Sequence, residues 1–455
     1  MKTIKVGMLG IGTVGSGTYK ALEMNMAAIE KFAGVHIEIA KILNRRPEAK
    51  RAVDVPREKY TADPYEIIHD PEIQIIAEVM GGIEPATTYM AEALKAGKHV
   101  VTANKAALAV NGRMLQQLAM DHHVMLRFEA SVGGGIPIIN AVSDQLVSNQ
   151  YDEVLGILNG TTNYILTQMT DKGADYAAVL RDAQEKGFAE ADPSGDVEGH
   201  DAANKLSILI SLLFGKEVLP KDIPTQGITA VSAMDISYAT EFGYKVKLLG
   251  RALRTPEGLV CSVEPTLLPV SHPMASVSNE FNAVFVKGNA VDELMFYGKG
   301  AGQMPTGSAV LGDIIDIANC IVKNAAYDLQ PLLSYDSEMP VLGEGSAQYY
   351  IRMTAADRPG ILGRIATTFA KYGISLESVM QRGGGNADAG AVPSAGAAFE
   401  ANIAPSMSGS EPEPSVPLIF IVYKVDRKAL DEALQEIRDK GYAESVNAVM
   451  RVQQR

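Results

Sequence analysis

The chain has 455 residues, 47% of them apolar, enough to bury a sizeable core and to build about two to four domains. Its 54 acidic and 41 basic residues give a net charge of -13, which repels nucleic acid and anionic membranes and leaves small molecules as the expected partners. Only two cysteines occur, Cys261 and Cys320, too far apart to suggest a zinc motif or a disulfide framework, and this fits a reducing cytoplasm.

The first apolar run, MKTIKVGMLGIG, is short, broken by glycines and without a small-residue cleavage site, so it reads as a strand rather than a signal peptide. No uninterrupted span of 18 apolar residues follows it. Short apolar runs at 4–9, 37–43, 75–80, 99–102 and 124–128 alternate with helix-like stretches. That pattern predicts an α/β fold with a Rossmann-type doubly wound parallel sheet over 1–140. Gly10, Gly12 and Gly15 spell GxGxxG directly after the first strand, with Thr13 and Val14 between them. Such glycines allow a tight turn and close approach of a pyrophosphate to a helix N-terminus, although glycine turns between strand and helix are also common. The second strand ends in Asn44-Arg45-Arg46, where an NAD site would carry an acid for the ribose hydroxyls. Two arginines there favour the 2'-phosphate of NADP, with NAD as the alternative and ordinary loop charges as the plain reading. Asn104 and Lys105 follow the strand at 99–102, on the sheet edge where ligands bind; Lys105 is either a functional cation or a surface residue opening the next helix.

Residues 141–310 mix helical stretches, at 174–186 and 201–214, with strand-like ones at 283–287 and 293–298, and predict an α+β domain. Val132-Gly133-Gly134-Gly135-Ile136-Pro137, just before it, reads as a hinge, and Asn159-Gly160-Thr161-Thr162-Asn163 as a turn into a helix. Between Gly187 and Lys205, five carboxylates (Glu190, Asp192, Asp196, Glu198 and Asp201) crowd into twelve positions. Asp201 and Lys205 share a helical face at i, i+4, which is either an exposed ion pair or a functional one. The apolar neighbours Ala202, Ala203, Leu206 and Leu209 favour a partly buried lysine that can protonate an oxygen formed by hydride addition. The carboxylates suit the ammonium of an amino acid; a divalent metal competes for them, but the run lacks the ligand spacing of a calcium loop. An apolar helix at 311–327 is expected to pack back on the first domain, followed by a linker at 328–347. From 348 to 455 the order reads βαββαβ, a ferredoxin-like module, interrupted at 383–417 by a stretch rich in Gly, Ala, Ser and Pro that reads as a mobile insert.

The segments GIGTVGSG, TANKAALA, FEASVGGGIPII, LNGTTNYIL, GFAEADPSGDVEGHDAANKLSIL and YGKGAGQMPTGSAVLGD resemble homoserine dehydrogenases, and YIRMTAADRPGILGRIATTFAKYGISLESVMQ resembles an ACT domain. The resemblance covers nearly the whole chain. It implies reversible NAD(P)H-dependent reduction of L-aspartate 4-semialdehyde to L-homoserine, on the way to threonine and methionine. It implies Lys205 as proton donor with Lys105 assisting, Glu190 and Asp201 as substrate ligands, and Gly187 and Gly302 beside the cofactor. It also implies a sodium ion at Glu129, Val132, Gly134 and Ile136, a site of backbone carbonyls that side-chain patterns do not reveal. For the ACT module it implies an amino-acid effector, L-threonine foremost, near Asp357, Arg358 and Gly360, in a homodimer or homotetramer. Two readings from other classes stand beside it: a non-catalytic NADP and amino-acid sensor, and a metal-dependent lyase built on the acidic run.

Overall fold

The computed structural model describes residues 1–46, 53–323, 333–335, 337–381 and 415–454. They form two compact units, Met1–Gly345 and Ser346–Gln454.

The first unit opens with a six-stranded parallel sheet: β1 (Lys2–Leu9), β2 (Val35–Leu43), β3 (Tyr60–Thr61), β4 (Ile73–Glu78), β5 (His99–Thr102) and β6 (Leu126–Arg127), in the order β3-β2-β1-β4-β5-β6. Ile4, Val6, Met8, Ile75, Ile76, Val100 and Val101 are fully buried, as expected for strands covered by helices on both faces. The order reverses on either side of β1, so the sheet has the crevice at which dinucleotides bind. β3 is only two residues long, too short to leave a sequence signal. The expected strand at 124–128 shrinks to Leu126–Arg127, which pairs only with β5 before the chain turns away at Glu129–Ser131.

The helix expected at 311–327 begins eight residues earlier and is described as Gln303–Lys323; residues 324–330 lie outside the described part. Pro305 falls in the first helical turn, where a missing N–H costs nothing. The helix packs on the first sheet, as expected. Val310, Leu311, Ile314, Ile317 and Ala318 join Val6, Ile37, Ile39 and Leu22 in one core. By length and composition this helix passes for a membrane span, but these residues place its apolar face inside the unit. Against the helix Thr13–Ala33 the approach is closer than any side chain permits: a Cβ on Gly17 would stand 1.8 Å from the Gln303 carbonyl oxygen, and one on Gly307 2.4 Å from the Gly17 carbonyl carbon.

Also in this unit, an antiparallel sheet runs β11-β10-β7-β8-β9, with β7 Tyr151–Ile157, β8 Tyr244–Thr255, β9 Gly258–Pro269, β10 Phe281–Gly288 and β11 Asp292–Lys299. Helices Gly160–Lys172, Tyr176–Glu185 and His200–Phe214 accompany it, the last two close to their expected bounds.

The second unit is a four-stranded antiparallel sheet in the order β15-β12-β14-β13, from β12 (Ser346–Ala356), β13 (Leu376–Gln381), β14 (Ser415–Asp426) and β15 (Ser445–Val452). Helices Ile361–Lys371 and Arg427–Asp439 bury Ile365, Phe369, Leu430 and Leu434 against Tyr349, Ile351 and Phe420. This is the expected βαββαβ arrangement. The expected insert at 383–417 lies outside the described residues except for 415–417, which belong to β14.

Candidate active site

The GxGxxG loop leaves β1 with Gly10 at a φ of +109°, which only glycine tolerates easily. A Cβ on Gly15 would meet the Gly10 carbonyl oxygen at 2.6 Å, whereas one on Gly12 would meet nothing within 4 Å. Gly15 is therefore needed for packing, and Gly12 leaves open the approach to the helix Thr13–Ala33, whose first turn carries no acid. Such a helix end, with its amides unpaired, suits a pyrophosphate. After β2, Asn44 Oδ1 accepts from the Arg46 amide at 3.1 Å, and Arg45 and Arg46 are both exposed. No carboxylate stands among Asn44, Arg45 and Arg46.

Beyond this loop a cleft of about 800 Å³ is lined by Thr13, Val14, Ala103, Lys105, Gly134, Gly187, Glu190, Asp196, Asp201, Lys205 and Gly302. It thus gathers residues from the sequence motifs at 13–14, 105, 187–205 and 302. Arg45, Arg46 and the three loop glycines Gly10, Gly12 and Gly15 do not line it. Glu129, Val132 and Ile136 are buried, with only Gly134 of that group reaching the cleft.

At the cleft floor Asp201 stands between two lysines. Lys205 Nζ lies 2.7 Å from Asp201 Oδ2, and Lys105 Nζ 3.1 Å from Oδ1. Lys205 is 7% exposed and donates a second bond to the Leu158 carbonyl at 2.6 Å. An ammonium has three donors, so one remains for the cleft. Burial pulls the Lys205 pKa below its usual value, with Asp201 working against the shift. Burial would raise Asp201, yet the Lys205 and Lys105 charges outweigh it and hold the carboxyl well below the usual range. The pair is therefore a buried ion pair, not the exposed helical pair that spacing alone allows.

Asn159 makes the link that sequence reading missed. Its Oδ1 accepts from the Thr162 amide and caps the helix Gly160–Lys172, while its Nδ2 donates to Asp196 Oδ1 at 2.7 Å and to Asp201 Oδ2 at 2.9 Å. An Asn before Gly-Thr-Thr is legible as a cap; the two long-range carboxylates are not. Glu190 lies exposed on the cleft with no hydrogen bond or ion pair from its carboxylate among the described residues, which leaves it free for a cation. Of the other acids, Asp192 accepts from the Ser194 amide and Glu198 pairs with His200, both at the surface. Asp196 faces the cleft. Among the described residues no three His, Cys, Asp or Glu side chains converge as a metal ligand set.

In the second unit, Asp357, Arg358 and Gly360 line a smaller recess of about 280 Å³ together with Gln381, whose Nε2 donates to Asp357 Oδ1 at 3.1 Å. Gly360 takes a φ of +92° as it opens the helix Ile361–Lys371.

A 3-2-1-4-5-6 parallel sheet with a glycine loop, a neighbouring cleft with a buried lysine, and a βαββαβ module are the parts of a dinucleotide-binding oxidoreductase that carries an additional ferredoxin-like domain. The family model for the homoserine dehydrogenase NAD binding domain matches residues 10–129, that for homoserine dehydrogenase 137–315, and that for the ACT domain 349–392. Homoserine dehydrogenase of Pseudomonas aeruginosa is 41% identical over 440 residues, 95% of each chain, and that of Bacillus subtilis 42% identical over 381 residues, 84% of this chain and 88% of its own. The crystal structure of a homoserine dehydrogenase from Thiobacillus denitrificans superposes with a TM-score of 0.87 at 35% identity, covering 99% of this chain and 98% of its own. A hyperthermophilic archaeal homoserine dehydrogenase in complex with NADPH matches 69% of this chain and 97% of its own, with a TM-score of 0.59 and 25% identity. The chain belongs to the homoserine dehydrogenase family of oxidoreductases and carries an ACT domain.

Proposed function

We propose that the cleft carries out reversible hydride transfer between L-homoserine and L-aspartate 4-semialdehyde, with Lys205 as the proton carrier. The observation behind this is the Lys105–Asp201–Lys205 cluster, with Lys205 buried and Lys105 half-exposed, in a cleft that Thr13, Val14 and Gly302 also line. A bound nicotinamide supplies or accepts the hydride at the carbinol carbon. In the reducing direction the Lys205 ammonium gives a proton to the aldehyde oxygen; in the oxidising direction its neutral amine takes the hydroxyl proton. Asp201 holds both lysines in place, Lys105 adds positive charge beside the reacting oxygen, and Glu190 with Asp201 receives the substrate ammonium.

The glycine cradle fits a dinucleotide, and Arg45 and Arg46, with no acid beside them, favour NADP over NAD. A sodium ion is assigned to the Glu129, Val132, Gly134 and Ile136 carbonyls. Glu129's own carboxylate is already taken by the Ile139 and Asn140 amides, so carbonyls are what this group has to offer. The recess at Asp357, Arg358 and Gly360 is assigned to an amino-acid effector, L-threonine first, in keeping with a role in threonine and methionine synthesis in the cytoplasm. Residues 1–140 form the cofactor domain and 141–310 the catalytic and dimerisation domain; 328–347 is the linker and 348–455 the regulatory domain of a homodimer or homotetramer.

Lys205→Ala tests the central assignment. Turnover should fall about a hundred- to ten-thousandfold while cofactor binding, followed by fluorescence titration, stays near wild type. A variant that oxidises homoserine at an undiminished rate removes Lys205 from the chemistry.

A further inference from the structure

Behind the cleft lies a buried carboxylate that hydride transfer does not use. Glu78 closes β4 and is 0% exposed, paired with Leu9 of β1 on one side and Thr102 of β5 on the other. Its Oε2 accepts from Thr102 Oγ1 at 2.6 Å and its Oε1 from the Met80 amide at 2.8 Å. Thr102 Oγ1 itself accepts from the Asn104 amide at 2.9 Å, so its own proton is the one directed at Glu78. Every neighbour donates, which suits a carboxylate rather than the acid. Burial raises this carboxyl above the usual carboxylate range, and the bonds from Thr102, Met80, Gly81 and Asn104 offset only part of that rise, so a nearby positive charge would favour its ionised form. Among the described residues no lysine or arginine stands within ion-pair distance of it. A buried anion without a cation is costly unless a cation arrives from elsewhere.

The fold shows where one would arrive. In this strand order the glycine loop after β1 and the residues after β2 serve the adenosine half of a dinucleotide, while β4 and β5 open the nicotinamide half. Ala103 lines the cleft and gives its amide to the Glu78 carbonyl at 3.3 Å, so Glu78 sits one residue behind the cleft wall. Lys105, two residues past Ala103, reaches the proposed reaction centre. The nicotinamide ring is a pyridinium cation when oxidised and neutral when reduced.

The geometry points to Glu78 as an electrostatic positioning residue: an anion held by Thr102, Met80 and Asn104 that favours the oxidised form of the bound cofactor over the reduced form. The inference rests on a nicotinamide cofactor occupying this edge, as the family and fold give it. It is tested by measuring dissociation constants of NADP+ and NADPH calorimetrically for the wild type and for Glu78→Gln, with NAD+ and NADH substituted should neither NADP form bind, so that a failed cofactor preference is distinguished from a failed inference. Glu78→Gln should weaken the oxidised form about tenfold relative to the reduced form. Thr102→Val, which removes one donor but keeps the carboxylate, should shift the ratio in the same direction by less, and it decides the matter if Glu78→Gln does not fold. A ratio unchanged in both variants, or both cofactor forms weakened by the same factor, overturns the inference, because a purely structural brace moves both constants together.

Discussion

Lys205 and Lys247 are both buried lysines, and only the first was legible in the sequence. Lys205 announces itself through Asp201 one turn earlier on an apolar helix. Lys247 sits in YKVKLLGRAL, where alternation makes it look like a solvent-facing strand residue. It is instead 3% exposed and donates to the Val277 carbonyl at 2.5 Å and to Asn163 Oδ1 at 3.1 Å, tying down the loop that leads to Glu280 on the cleft wall. Burial lowers its pKa to about 8. The unfolded chain keeps this proton up to about 10.5, so the folded state releases it first and stability rises with pH between the two values. Urea denaturation at pH 7.5 and at pH 10 should show the wild type gaining on Lys247→Met by up to about 3 kcal/mol. A constant offset between the two proteins would mean that Lys247 does not change protonation on folding. For Lys205 the depressed pKa sets the direction of a kinetic profile. Homoserine oxidation needs the neutral amine, so its rate should climb with pH and level off below 10.5, while aldehyde reduction falls over the same range. Lys205→Arg, fixed as a cation, should abolish oxidation throughout. Stopped-time assays of both directions across that range are the check.

At the scale of elements, the strands of the parallel sheet other than β3 were readable because continuous apolar runs have few other uses, and GxGxxG was readable because it follows such a run, whereas β7, β8 and β9 of the antiparallel sheet were not singled out. The crossing of helices Thr13–Ala33 and Gln303–Lys323 was not. Gly17 and Gly307 are separated by almost the length of two domains, and a glycine inside a helix carries no sign of what presses on it. The two glycine environments predict opposite failures. Gly17→Ala forces a methyl onto the Gln303 backbone, with a stability loss of about 3 kcal/mol, the upper end for overpacking, since backbone cannot relax as side chains do. Gly12→Ala has open space around it, so its thermal midpoint should stay within a few degrees while affinity for the nicotinamide cofactor falls at least about tenfold, the methyl standing where the pyrophosphate approaches. Calorimetry and cofactor titration on the two variants separate these outcomes. Asn159 shows the same limit: its cap was local and legible, its grip on Asp196 and Asp201 was not.

For the whole molecule, the division into a dehydrogenase body and a ferredoxin-like module follows from the change of pattern near 348, and the two compact units part at Gly345. The archaeal homoserine dehydrogenase that matches 69% of this chain over 97% of its own length shows that the dehydrogenase architecture occurs in a chain of that shorter extent. A chain ending at Gly345 should therefore keep its turnover within a fewfold and lose any response to threonine. Steady-state kinetics with and without threonine on the full and shortened chains provides the comparison, and loss of turnover on shortening would make the second unit part of the catalytic machine.

The helix Gln303–Lys323 completes a core whose other members lie before residue 131. A ribosome delivers the glycine loop and the parallel sheet first, then must translate some 170 further residues before this helix emerges, a delay on the order of ten to thirty seconds at ordinary elongation rates. Throughout that interval Val6, Ile37 and Ile39 lack part of their cover. The cofactor half is thus the first to be synthesised and among the last to be finished, so its nascent surface is a natural client for chaperones and a point where slow codons between the two segments would change yield.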